Sequence, residues 1–131
     1  MQWLDYVFKF IDKLFRTNAF KQKYKTKSSK KLNHILKSKN WQVVDIRNSI
    51  SYGENHLKGS LNIPVTSFNF KYFKVLDKNS KILIIDEDSR SHLSVYKNLR
   101  QKGFKSYLFY EGYKSIRNDP NFDKLTKVVL Y

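Results

Sequence analysis

The chain has no cysteine among its 131 residues. Disulfides, thiolate metal sites and thiol nucleophiles are thereby excluded. Long apolar runs are missing too: no eighteen consecutive residues are apolar and uncharged, so no membrane-spanning helix is expected. The single apolar stretch near the N-terminus is broken by Asp5, Lys9, Asp12 and Lys13, which does not suit a signal peptide. A cytoplasmic location follows as the expectation, with a peripheral position at the inner face of a membrane as its variant. Histidine is scarce, and His34, His56 and His92 form no pair with metal-ligand spacing. No metal or cofactor is expected. Ser89 and Ser91 have no local base, so a serine hydrolase has no support.

What is present is positive charge. Lysine and arginine number 26 against 11 acids, a net charge of +15. Residues 1–40 hold eleven of these cations against two acids, so more than half the excess lies on the first third of the chain. That asymmetry suits an anionic surface, either RNA or DNA or an anionic membrane met through residues 1–40, although a merely solvated charged face produces the same composition. At 131 residues with a hydrophobic content of 40%, the chain is long enough for one cored domain and too short for two.

Three regions are expected: an amphipathic helix over residues 1–20, a basic linker over 21–30 and one folded domain over 31–131. In the first, Trp3, Leu4, Val7, Phe8, Ile11, Leu14 and Phe15 repeat at helical spacing, with Gln2, Asp5, Lys9, Asp12, Lys13 and Arg16 opposite. Such a face docks on its own domain, self-associates through residues 3–15 or lies on a lipid surface. Residues 21–31 are basic and aperiodic and read as the linker, with Ser28 or Ser29 as candidate cap of a helix over 31–37.

The folded part centres on residues 81–104. An apolar β-branched run, residues 82–85, predicts a strand; residues 86–91 are a polar loop; Leu93, Val95, Tyr96 and Leu99 follow at helical spacing, and Gly103 stands at the stop. Amides at a helix start favour an anion, so the loop Asp86, Glu87, Asp88, Ser89, Arg90 and Ser91 is the candidate site. Elsewhere strands are expected at 41–46, 60–63 and 106–110, and short helices around 51–55, 67–73 and 114–117. Asn55 suits a positive φ. Strands alternating with helices predict an α/β fold with a central parallel sheet.

Residues 43–64, VVDIRNSISYGENHLKGSLNIP, resemble the first signature of rhodanese-like domains: a strand ending in Asp-x-Arg, a Tyr, then Gly-His-Ile-Pro-Gly-Ala and Asn-Ile-Pro. Asp45, Arg47, Tyr52, His56, Gly59, Asn62 and Pro64 fall on matching places, while Asn55 and Lys58 depart from it. Gly103 and Phe104 match the close of the helix after the loop. Glu111 and Gly112 match the later Glu-Gly-Gly turn, with Tyr113 for the second Gly and Arg117 where Trp is usual. The resemblance spans about residues 30–118 and implies a single rhodanese-like domain. In it Asp45, Arg47, His56, Gly59 and Gly112 hold structure, and His56 makes a hydrogen bond.

The resemblance also places Asp86 where the sulfurtransferases carry their cysteine, Ser89 where they carry Gly and Ser91 where they carry Arg. The family reaction holds a sulfane sulfur on a thiolate, and a carboxylate cannot do that. The expectation is an inactive homologue serving as a binding, regulatory or scaffold module for a protein partner. The alternatives are a basic module for nucleic acid or membrane surface, or an enzyme of changed chemistry in which Asp86 accepts phosphoryl groups with Mg²⁺ on Asp86, Glu87 and Asp88.

Overall fold

A computed structural model describes residues 24–87 and 92–128. Among them five strands form one parallel sheet: β1 (Thr26–Lys27), β2 (Trp41–Asp45), β4 (Leu61–Asn62), β5 (Lys81–Ile85) and β6 (Lys105–Phe109), in the order β1-β6-β5-β2-β4. The helices are α1 (Leu32–Lys37), α2 (Ser49–Glu54), α3 (Phe68–Val75), α4 (His92–Gln101) and α5 (Tyr113–Arg117). A two-stranded antiparallel sheet joins β3 (Asn55–Leu57) to β7 (Thr126–Val128). None of these helices is long and apolar enough to cross a membrane. The expected amphipathic helix over 1–20 lies outside the described residues, as do Asp88, Ser89, Arg90 and Ser91.

Period-two alternation divides the sheet's side chains between two cores. Val44, Ile82, Ile84 and Leu108 face one way, under α3 and α4, with Phe68, Val95, Leu99 and Phe104. Val43, Leu83, Ile85 and Phe109 face the other way, against Leu32 and Ile35 of α1 and Tyr113 and Ile116 of α5. With both faces covered, β5 is buried from Ile82 to Ile85, which explains its uninterrupted apolar sequence. Gly103 takes φ +88 after α4, the left-handed stop its position predicts.

Three expectations are corrected. The linker contributes structure: Thr26 and Lys27 pair with Leu108 and Phe109 as an edge strand, and Tyr24 packs edge-on to Tyr96. Aperiodic polar residues suffice there, because an edge strand of two residues needs backbone groups and not an apolar pattern. Neither Ser28 nor Ser29 caps α1 through its side chain; a 3₁₀ turn, Ser29–Lys31, leads directly into the helix. Asn55 is extended, φ −159, because it opens β3 opposite Val128.

Candidate functional site

The C-terminal ends of β2 and β5 lie side by side, with Asp45 in register with Ile85. The segments leaving the two strands therefore meet at one end of the sheet. Asp45 is 1% exposed and Arg47 is 4% exposed. The arginine donates from Nε to both carboxylate oxygens at 3.0 Å and from Nη2 to Oδ2 at 2.8 Å. Its backbone N–H gives Oδ1 another bond at 3.0 Å. Burial nevertheless lifts the Asp45 carboxyl above the usual carboxylate range, with the Arg47 contacts pulling the other way.

Arg47 is held from three further sides. Nη2 donates to the Asn55 carbonyl at 2.6 Å, and the guanidinium lies 3.7 Å from the centre of the Tyr113 ring. The Tyr113 hydroxyl donates to Asn55 Oδ1, and burial pushes that hydroxyl up to about 12. Nη1 of Arg47 is left facing Glu87, 3.5 Å from Oε2, an ion-pair distance too long for a hydrogen bond.

The loop after β5 begins with Asp86, 8% exposed, whose Oδ1 accepts from the Glu87 amide at 2.8 Å. Its carbonyl accepts from the Tyr113 amide at 2.7 Å. Gly112, at φ +76, makes the turn that aims this amide, a conformation a side chain would resist. The Glu87 carbonyl takes the Lys114 amide at 3.2 Å, so α5 is tied to the loop through two successive N–H groups. The Glu87 carboxylate then meets Arg117 of α5 through both oxygens, at 2.8 and 2.6 Å. Arg117 first, and Arg47 after it, hold the Glu87 carboxyl below its usual range.

These groups line an open cleft of about 740 Å³ that also includes Glu54, Ser51 and Val65. Its charged lining is Arg47 and Arg117 against Glu54, Asp86 and Glu87. Among the described residues no three His, Asp or Glu side chains stand together in a metal-binding group.

The sequence matches the rhodanese-like domain over residues 28–119. The chain belongs to the rhodanese-like domain family. Solved structures agree in fold: a Bacillus halodurans protein superposes with a TM-score of 0.66 at 21% identity, over 81% of this chain and 80% of that one. A rhodanese-like domain protein from Staphylococcus aureus gives 0.62 at 21%, over 69% of this chain and 88% of that one. The tRNA uridine(34) hydroxylase of Buchnera aphidicola is 36% identical over 50 residues. That match spans 38% of this chain and only 16% of that protein. This rhodanese-like domain has no cysteine anywhere in its chain.

The fold unites Asp45, Arg47, Asp86 and Glu87, while Gly112 sits behind them as the turn. His56 is beside the cleft and outside its lining: Nδ1 lies 2.6 Å from the Tyr52 carbonyl and the ring stacks on Tyr52 at 3.9 Å. Gly59, φ +84, lies in the turn between β3 and β4. His92 is fully buried at the start of α4. Sequence reasoning missed Arg117, Tyr113 and Asn55 as lining or bracing groups. The one available signal was that Arg117 replaces an expected Trp while an acid follows Asp86.

Proposed function

We propose that this rhodanese-like domain does not transfer sulfur and acts as a binding module. The observation that carries the reading is the pair Asp86 and Glu87. A carboxylate stands where a thiolate nucleophile is needed, and the next carboxylate already occupies the guanidinium of Arg117 and faces that of Arg47. Cations that would attract an anionic sulfur donor are thus neutralised from within. Binding to a protein partner at this end of the sheet, in the cytoplasm, belongs to the same reading.

The test is a thiosulfate-to-cyanide transfer assay on purified protein, with turnover no greater than buffer expected. Asp86→Cys is expected to restore weak activity at most, because Glu87, Ser89 and Ser91 remain. Turnover by the unaltered chain that tracks its folded fraction would overturn the proposal.

A second reading, contact with nucleic acid, is favoured by the net charge of +15 and by the likeness to a protein whose name specifies tRNA. It predicts binding that weakens steeply with salt, through counterion release.

A further inference from the structure

A second surface lies on the face of the sheet that carries Trp41, Lys81 and Tyr107. β5 runs from Lys81 to Ile85, about 16 Å at the usual strand rise. Asp86 follows its C-terminal end, so Lys81 opens the strand a full strand length away. In register with Lys81 stand Trp41 on β2 and Lys105 on β6, and matched positions in parallel neighbours point to the same face. The Trp41 and Tyr107 rings are 5.0 Å apart and tilted by 54°. Lys27 of β1 extends its ammonium over both, 5.9 Å from Trp41 and 5.4 Å from Tyr107, and the Lys81 ammonium is 5.5 Å from Trp41.

Lys31 and His34 join Lys27, Trp41 and Lys81 in lining a depression of about 210 Å³, and no residue lining it is acidic. The local sequence explains that imbalance. No Asp or Glu occurs between Asp12 and Asp45, while Lys25, Lys27, Lys30, Lys31, Lys37 and Lys39 do. Folding carries this acid-free stretch along β1 and α1, so that Lys27 and Lys31 line one depression with Lys81.

We propose that this surface binds single-stranded RNA, with lysines on the phosphates and the half-buried Trp41 and Tyr107 rings as a platform for bases. The inference rests on the nucleic-acid reading above and supplies its location. Two features favour RNA over a generic anion. The cations come from three separate elements, Lys27 from β1, Lys31 from the turn before α1 and Lys81 from β5, as a polyanion requires and a single phosphate does not. Between them stand two aromatic rings, which stack on bases of any sequence and gain nothing from a bare anion. The Lys ammonium groups now over the rings give them a cationic partner that phosphate can share.

The experiment is fluorescence anisotropy of the full chain with a labelled single-stranded RNA of mixed sequence, from about 50 to about 200 mM salt. Lys27→Gln with Lys81→Gln is expected to weaken binding and to lower the slope of log K against log salt by roughly 1.4, two contacts at ~0.7 each. Trp41→Ala should weaken binding by about tenfold without changing that slope, and Trp41→Phe should recover most of the loss. The control removes equal charge from α3, as Lys71→Gln with Lys74→Gln. Thermal melts of each variant separate lost binding from lost fold.

Loss in the β1/β5 pair with little in the α3 pair supports the surface. Equal loss in both pairs overturns the location and leaves the nucleic-acid reading standing. No RNA binding by the unaltered chain overturns both. Should the β1/β5 pair abolish sedimentation with phosphatidylserine vesicles and leave RNA affinity intact, the surface is one for lipid and the proposal fails.

Discussion

At the residue scale the site is governed by how two arginines are neutralised. Arg47 and Asp45 are both buried, and removing one partner from such a pair leaves a desolvated charge that costs about 3–5 kcal/mol. Their role is to fix the turn between β2 and α2 and to brace Tyr113. Glu87 differs, because its side chain is 38% exposed and Arg117's 40%, so water and salt weaken the pair. Its carboxyl titrates below the ordinary value in the folded protein. The stabilisation from Arg117 is therefore complete above the unfolded pKa and is lost as pH falls through the lower folded one. Asp45, raised by burial, contributes with the opposite sign, so only a difference measurement isolates Glu87. We expect the gap in urea midpoint between the unaltered chain and Glu87→Gln to be present at neutral pH and to close in acid. A gap independent of pH would remove Glu87's charge from the account.

At the element scale the turns matter most. Gly59 carries φ +84 between β3 and β4, and no heavy atom lies within 4 Å of where a Cβ would stand. Any penalty there is backbone strain and not collision. Gly59→Val should lower stability by about 1–3 kcal/mol, and Gly59→Asn by clearly less, since Asn tolerates the left-handed region. Equal denaturant midpoints for the two variants would show that the turn relaxes. The small sheet of β3 and β7 fixes the same region from outside, with Lys58 N–H donating to the Leu125 carbonyl at 2.7 Å.

For the whole molecule the question is where the domain begins. The sheet recruits Thr26 and Lys27, two residues before the family match starts at residue 28. The Leu108 amide donates to the Lys25 carbonyl at 2.9 Å, the Tyr110 amide to the Lys27 carbonyl at 3.2 Å, and the Lys25 amide to the Tyr96 hydroxyl at 3.2 Å. Hydrogen bonds of this kind contribute about 0.5–1.5 kcal/mol each. Deleting residues 1–27 is thus expected to lose about 2–4 kcal/mol more than deleting residues 1–20, read as the difference between two urea melts. If the two truncations melt alike, the edge strand adds nothing to stability.

Sequence alone determined the alternation of strands and helices, the buried character of residues 82–85, the stop at Gly103 and the absence of a thiol. Each of these is local: a period, a missing side chain or a left-handed turn is written within a few residues. The family signature likewise drew attention to Asp45 and Arg47 by position. Only the tertiary structure decided their partners. Asp45 lies 41 residues before Asp86, and Arg117 lies 30 after Glu87, so their meeting depends on parallel register and on how α5 returns to the loop. The extended conformation of Asn55 follows from β7, more than 70 residues away, and the strand in the basic stretch from an open sheet edge. Non-local pairing uses backbone groups that every residue carries, and so it leaves no mark on the sequence that forms it.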